Sequence, residues 1–412
     1  MKKNLLFVLF GAAILLTMNA CKTDELDLDK ELKFSKQSVE EQKAQIEQSG
    51  LDFVTAMEDM QETKAMTTIK NMLSMQSLEL DTVAYLAPLQ KLTADVKNNR
   101  KNAMSNFDKQ MRVSYIDSEV WGEYVYNFDT EEMDKVKELT NELIISFPAT
   151  ESSKTNNAKI TVTYEESIVE IPESDGEMYP SKMTFVMTVD GSEVMNASFS
   201  GSYYDDGSPK EVTQSLVIED FKWTSAIKND KKTASESHEF KKGSKIILKS
   251  KAEINGDLTE EALTDAMENN SPQDAISGFA VYFQVMDVAV KGGTNELKNM
   301  MDEGNALDQS TLTKKEYAEK SVEILNKYLV CIAYFVNDNR KFADVEFYVN
   351  ETQYEDYDYS TYPYVTKTIT EYEIAPRFVL SDGSKVAADE YVQEGFDSFI
   401  NKLEDMENDF DF

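Results

Sequence analysis

Residues 183–203 read MTFVMTVDGSEVMNASFSGSY, and this stretch decides the fold. Two strand-like runs, 183–189 and 194–203, flank the dipeptide Asp190-Gly191. Glycine adopts a positive φ without steric cost, so Asp-Gly between two such runs is typical of a tight hairpin turn. The stretch therefore predicts two antiparallel strands that are neighbours in a sheet.

The same texture continues on both sides of this hairpin. Short apolar segments separated by Gly, Asp, Asn and Ser are typical of an antiparallel meander. Asp205-Asp206-Gly207 predicts a slightly longer loop after the second strand. The other predicted strands are 121–128, 143–147, 160–164, 212–223 and 246–254. Together they predict an antiparallel β domain over residues 116–256.

Helical segments are predicted before and after this domain. Residues 35–115 are rich in helix formers, and Phe53, Ala56, Met57 and Met60 fall at helical spacing. Thioethers could line an adaptable binding surface, but core packing is the commoner use of such a stripe. We therefore expect an N-terminal helical segment with a packed face.

The second helical segment is predicted over 257–340. Asp257 or Thr259 can cap its first helix. The stretch 273–290 is apolar almost all round, which is typical of a buried helix, and a third helix is predicted over 314–337.

Strands return in the C-terminal segment, 341–412. The predicted strands are 345–349, 368–374 and 377–380, with a hairpin turn at 381–384. An amphipathic helix closes the chain and places on one side Tyr391, Phe396, Phe399, Ile400 and Leu403. The predicted class is α+β, a large antiparallel meander sheet packed against helices.

The first residues have the form of a signal peptide. Lys2 and Lys3 precede an apolar run from Leu5 to Leu16, which predicts a cleaved leader over 1–20. A membrane-spanning helix needs about 20 apolar residues, so this run is too short to span.

Met18-Asn19-Ala20-Cys21 resembles the lipobox of bacterial lipoproteins, with Met18 and Asn19 departing from the usual Leu and small residue. Looser lipoboxes are common in Bacteroidetes, and the ending over 375–403 is weakly similar to that of uncharacterised lipoproteins of the same phylum. The resemblance implies lipidation of Cys21 and an outer-membrane location.

Residues 21–34 are predicted to form a lipidated acidic tether. Asp24, Glu25, Asp27 and Asp29 resemble the acidic surface-export signal of Bacteroidetes lipoproteins, which implies exposure at the cell surface. The alternative is an ordinary solvated tether whose acids carry no signal.

Charge and cysteine content narrow the choice of partner. The formal net charge of −34 becomes −36 when Lys2 and Lys3 leave with the leader (34 + 2), so nucleic acid and anionic headgroups are repelled. Of the two cysteines, Cys21 would carry lipid. Cys331 lies in an apolar run and is expected to be a buried, inert thiol.

No residue pattern in the sequence indicates a catalytic site. The chain has one histidine, His238, and lacks a Gly-x-Ser-x-Gly elbow. A strand-face or surface histidine is the favoured interpretation over a general base. One histidine and one free thiol cannot form a zinc set. We therefore predict no catalytic residue, metal site or cofactor.

One segment, 354–364, is too dense in tyrosine for an average loop. Aromatic faces stack on sugars, and carboxylates bond to hydroxyl groups. Tyr357, Tyr359 and Tyr362 are therefore the candidate ligand-binding residues for a glycan or peptide. The alternative is a strand connection whose tyrosines lie on the sheet and whose acids face water.

These features predict a membrane-anchored, non-enzymatic lipoprotein whose ectodomain binds a glycan or an envelope protein. Two alternatives stay open. One is an envelope carrier of lipid or another hydrophobic ligand with a half-barrel-like sheet, which would need an apolar cavity between sheet and helices. The other is a glycan hydrolase without recognisable motifs, which would need two carboxylates about 5 to 9.5 Å apart.

Overall fold

The computed structural model describes residues 25–75, 121–171, 178–269, 271–358, 365–391, 396, 398–399 and 401–402. These residues divide into two compact units. The central unit takes the described residues of 48–230, 235–250 and 397–402. The carboxyl-terminal unit takes those of 25–47, 231–234 and 251–396. The chain is α+β, with a mixed sheet of 16 strands.

The central unit is built on consecutive strands. They are β1 (Gly122–Asn127), β2 (Glu132–Glu138), β3 (Glu142–Phe147), β4 (Ala158–Glu170), β5 (Met178–Val189), β6 (Ser192–Tyr203), β7 (Pro209–Ile218) and β8 (Phe221–Asn229). Two further strands, β9 (Thr233–Lys242) and β10 (Lys245–Gly256), have residues in both units.

Strand order follows the sequence from β3 to β10, as a meander requires. The first strands depart from this rule. β1 pairs antiparallel with β2 but parallel with β3, where Tyr124 lies opposite Ile145. The expectation of a purely antiparallel sheet is therefore wrong at this edge, and the sheet is mixed.

The hairpin turn at Asp190-Gly191 is confirmed. Asp190 has φ 53° and Gly191 has φ 78°, the left-handed pair that a type I′ turn requires. The predicted strand 212–223 is wrong as a single element, because β7 ends before a turn in which Glu219 has φ 54°. Glu219 is an unusual residue at positive φ, so composition gave no signal for this turn.

Two N-terminal helices confirm the predicted helical character of the described part of 35–115. α1 spans Val39–Gln61 and α2 spans Lys64–Ser74. Thr63 caps α2 by accepting a hydrogen bond from the Met66 amide. The buried face of α2 carries Ala65, Ile69 and Met72.

Polar contacts hold α2 to the loops of the central unit. The Asn71 Nδ2 donates to the Pro148 carbonyl oxygen at 2.9 Å. The Ala65 amide donates to Glu219 Oε1 at 3.2 Å. Glu219 therefore forms a turn and anchors the first turn of a helix, where a carboxylate also suits the helix dipole.

The carboxyl-terminal unit contains more strand than the sequence predicts. Its strands are β11 (Ile276–Val285), β12 (Val288–Thr294), β13 (Val330–Phe335), β14 (Arg340–Asp358), β15 (Val365–Val379) and β16 (Lys385–Ala387). Its helices are α3 (Glu260–Glu268), α4 (Leu297–Asn305), α5 (Lys314–Tyr328) and the short α6 (Ala388–Tyr391), with a 3₁₀ turn at Pro272–Asp274.

The buried helix expected over 273–290 is wrong, because β11 and β12 form a hairpin there. From Gly278 onward, the residues of β11 alternate between buried and half-buried. Both faces of the strand are therefore covered, and its sequence is apolar at almost every position. The turn residue Met286 has φ 51°. Its carbonyl oxygen accepts a hydrogen bond from Gln284 Nε2 at 2.6 Å. No pattern in the sequence predicts this contact.

The helix expected over 314–337 ends nine residues early, at Tyr328. Val330–Phe335 is strand β13 instead, because β-branched and aromatic residues favour a pleated surface between two neighbours. In the first helix of this region the cap is Thr259, whose side chain accepts from the Ala262 amide. The segment predicted to be helical over 257–340 therefore contains the three strands β11, β12 and β13 as well as helices.

The core of the carboxyl-terminal unit is aromatic. Phe335, Phe342, Phe378 and Tyr391 pack with ring centroids 5.0 to 6.4 Å apart. Burial of Tyr391 and Phe396 in this unit is confirmed, as is burial of Phe399, which belongs to the central unit. Ile400 and Leu403, which share their predicted face, lie outside the residues whose environment is described.

Part of the predicted acidic tether packs on the same unit. Of residues 21–34, the structure describes 25–34. Leu26 and Leu32, each 5% exposed, join a buried cluster with Tyr282 and Ile332. Ser35 and Lys341 continue the attachment through a backbone hydrogen bond. Residues 25–34 are therefore attached to the sheet, because Leu26 and Leu32 are buried on it and Leu28 packs beside them.

We predict that Gly256→Ala destabilises the protein by about 1–3 kcal/mol, the usual cost of overpacking. A Cβ at Gly256 would lie 2.0 Å from the Ala275 carbonyl oxygen, which is backbone and cannot rotate away. The matched control is Gly304→Ala, since nothing lies within 4 Å of a Cβ there. In α4 this control should be neutral or up to about 1 kcal/mol stabilising. Urea unfolding followed by circular dichroism compares the two variants, and equal midpoints would contradict the close approach.

Candidate functional site

Most of the predicted site residues lie outside the described residues. Cys21 precedes the first described residue, Glu25, and Tyr359 and Tyr362 fall between Asp358 and Val365. Tyr357 is described and is the penultimate residue of β14, just before the connection to the next strand. The tyrosine-rich segment therefore begins as a strand.

Two strands build the region around Tyr357. β13 pairs with β14 only over Arg340 to Asp344, and β16 pairs with β15 from Arg377 to Val379. Beyond these points the two strands pair with each other over 347–358 and 365–376. We call this two-stranded extension the β-arm. At about 3.3 Å per residue each of its strands extends for about 40 Å.

One face of the β-arm is held by helix α5. Asn326 bonds to both backbone groups of Phe347, at 2.8 Å from Nδ2 to the carbonyl oxygen and at 2.7 Å from the amide to Oδ1. Lys315 Nζ lies 3.3 Å from Glu351 and 5.8 Å from the ring centroid of Tyr372. These contacts fix the half of the β-arm that is nearer the sheet.

Exposed tyrosines occur in the other half, on both faces. Tyr357 pairs with Thr366 and shares the face of Glu351, whereas Tyr354 pairs with Ile369 on the opposite face, because side chains alternate along a strand. Tyr354 is 45% exposed and Tyr357 is 54% exposed. The Tyr354 hydroxyl donates to Glu371 at 2.9 Å, and this carboxylate raises the pKa of Tyr354.

The β-arm is strongly acidic. Over 347–358 and 365–376 there are six carboxylates and one lysine, Lys367, which gives a formal charge of −5 (1 − 6). The carboxylates are Glu351, Glu355, Asp356, Asp358, Glu371 and Glu373. Such a surface attracts cationic partners and discourages edge-to-edge pairing of strands.

A second candidate, which the sequence analysis missed, is a cleft of about 350 Å³ in the carboxyl-terminal unit. It lies among the end of β10, the 3₁₀ turn, β11 and the start of α4. Its lining includes the polar side chains of Asp257, Gln273, Asp274, Glu296, Lys298 and Asn299. The cleft was missed because a helix was predicted over 273–290, although Ser271-Pro272 indicates a break in the chain there.

His238 lies on β9 of the central unit, as a strand-face histidine. Its Nε2 is 2.8 Å from Glu236 Oε1, and its ring stacks on Trp223 with centroids 6.0 Å apart. This arrangement fixes the orientation of the ring by packing and one polar contact. A structural role accounts for both contacts.

The described residues contain no group of three or more His, Cys, Asp and Glu side chains that could hold a metal ion. In the same residues no helix has the length and apolar content needed to cross a membrane. No family model, curated protein or solved structure matches this chain.

We predict that Cys331 does not react with a thiol reagent at neutral pH in the folded protein. The residue is half-buried rather than fully buried as expected, but desolvation of the thiol raises its pKa to about 12, and the thiolate is the reactive form. Titration with Ellman's reagent checks this, with the same protein in guanidinium chloride as the control. Rapid labelling of the native chain would contradict the assigned environment.

Proposed function

We propose that this chain is a lipid-anchored, non-enzymatic protein of the bacterial outer membrane, exposed at the cell surface, that binds a protein partner through the β-arm. The observation that carries the binding role is the acidic two-stranded extension with exposed tyrosines on both faces. The anchoring role rests on the leader and on the lipobox-like residues before Cys21.

The packing of the N-terminal segment supports a short connection between lipid and folded body. Lys291, 2% exposed, donates from Nζ to the Asp27 carbonyl oxygen at 2.5 Å, and Lys251 forms an ion pair with Glu25. From Cys21 to Glu25 is four residues, a reach of at most about 14 Å. A lipid on Cys21 would therefore hold the carboxyl-terminal unit close to the bilayer.

A protein partner fits the β-arm better than a glycan does. A sugar needs aromatic rings that share one platform, whereas Tyr354 and Tyr357 lie on opposite faces of the ribbon. A ribbon with an aromatic ring on each face suits a groove that encloses it. Because the β-arm has a formal charge of −5, we expect the groove of the partner to be lined with Lys and Arg, since complementary charge steers association.

The two alternatives from the sequence receive less support. A hydrophobic carrier needs an apolar cavity, and the cleft among the described residues has acidic and amide side chains on its wall. A glycan hydrolase needs a general acid with a raised pKa. In the cleft, hydrogen bonds from Thr259 lower the pKa of Asp257, and Asp274 is paired with Lys298 at 2.6 Å.

We predict that mass spectrometry of the protein from native membranes finds Cys21 as the first residue, carrying diacylglycerol and an acylated amino group. Cys21→Ser should move the protein out of the membrane fraction, because each buried acyl methylene contributes about 0.8 kcal/mol to anchoring. Proteinase added to intact cells should degrade the chain. An uncut leader or an unmodified thiol would refute the anchor, and protection in intact cells would refute the surface location alone.

We predict that a photo-cross-linking residue placed at Tyr354 or at Tyr357 captures the same envelope protein in living cells. The matched control is the same residue at Ile168, which is 97% exposed in the central unit. Both positions should report one partner, because a groove encloses both faces of the β-arm.

Charge reversal tests the electrostatic part of this proposal. Asp356→Lys with Glu373→Lys should weaken the cross-link at least tenfold, whereas the exposed control Glu151→Lys should leave it unchanged. A cross-link from one face alone would overturn the enclosing groove. A cross-link that survives charge reversal would overturn the cationic partner.

A further inference from the structure

The cleft of the carboxyl-terminal unit contains a buried amide without a partner. The Gln273 side chain is 7% exposed, and its Oε1 has no hydrogen-bond partner. Buried amide oxygens are almost always bonded, so an unpaired one marks a place for a donor. The terminal torsion of a glutamine rotates over a broad range, which lets this oxygen turn toward a molecule in the cleft.

The charged groups of the cleft favour a cation. Asp257, Asp274 and Glu296 supply three negative charges against one positive charge from Lys298, a formal net of −2 (1 − 3). Lys298 is already paired with Asp274 at 2.6 Å and lies 3.8 Å from Asp302. An anion would therefore meet net repulsion.

The carboxylates of the cleft have unused hydrogen-bond acceptor positions. Asp257 accepts from Thr259, and Glu296 accepts from Asn299 Nδ2 at 2.8 Å. A carboxylate has about four acceptor positions, so each of these groups can take further hydrogen bonds. A bound molecule should therefore be rich in donors. An ammonium group brings three N–H donors and a positive charge.

We propose that this cleft binds a small primary amine, whose ammonium group donates to Gln273 Oε1 and lies among the carboxylates of Asp257, Asp274 and Glu296. A volume of about 350 Å³ is at the small end of ligand sites, which suits a molecule the size of a diamine, an amino sugar or a lysine side chain. This site is independent of the β-arm.

Calorimetry on the full mature protein in detergent tests the site with 1,4-diaminobutane, glucosamine and Nα-acetyl-lysine amide as separate probes. Glucose and acetate are the uncharged and anionic comparisons. At least one amine should bind, and both comparisons should fail to bind. The tightest of the three probes identifies the source of the amine. Equal binding of glucose and glucosamine would overturn the role of charge.

Matched glutamine variants test the role of the amide. Gln273→Leu should weaken amine binding at least tenfold, whereas Gln273→Glu should retain it. Gln214→Leu is the control, because Gln214 is 4% exposed in the central unit and both polar atoms of its side chain are likewise unpaired. It should leave affinity unchanged.

Glu296→Gln, at an exposed position, keeps the proposal testable should Gln273→Leu fail to fold. It should weaken binding several-fold, because it removes one negative charge without changing size. Absence of amine binding at millimolar concentration, or equal affinity in Gln273→Leu and Gln214→Leu, would overturn the site.

Discussion

Backbone hydrogen bonding between consecutive strands is the constraint on which this structure depends. A strand interior cannot leave its N–H and C=O groups unpaired when buried, and a chain that turns back at once finds its partner in the next strand. The order from β3 to β16 follows the sequence for this reason. A slip of one residue in any hairpin would turn its buried face to solvent, so each turn must set the register.

The turns that set this register are of two kinds. Gly191, Gly207 and Gly383 take positive φ at no cost. Glu219, Met286 and Asn339 take it as well, and two of these are unusual residues for the left-handed region. Where glycine marks the turn, the sequence predicts it. Where a tertiary contact holds the turn, as the hydrogen bond from the Ala65 amide does at Glu219, the local sequence does not predict the turn.

Both candidate sites are consequences of how the sheet ends. The β-arm exists because β14 and β15 are longer than the strands beside them, so their outer halves pair only with each other among the described residues. The cleft lies where β10 ends, at Gly256, whose backbone approaches the Ala275 carbonyl oxygen too closely to leave room for a side chain. One site presents two faces to solvent, and the other is a small cleft.

The acidic composition has a different structural meaning at each place. On the β-arm, charge is spread along an exposed ribbon. The cleft is lined by three carboxylates and by one buried glutamine whose amide oxygen is unpaired. At the N-terminal segment, Glu25 pairs with Lys251 while Leu26 is buried. A net charge describes none of these arrangements, because partners and burial decide what each carboxylate does.

The sequence by itself determined the α+β class of the fold, the Asp190-Gly191 hairpin, the helical character of the described part of 35–115, and a helix capped at Asp257 or Thr259. These features rest on local chemistry, such as positive φ at glycine, side-chain caps and alternation. Only the tertiary structure decided that 276–294 is a hairpin, that β1 and β3 are parallel, that Tyr354 and Tyr357 face opposite ways, and that Gln273 is buried beside carboxylates. The reason is physical: a strand covered on both faces has the composition of a buried helix, and the partner of a polar group lies far away in the chain.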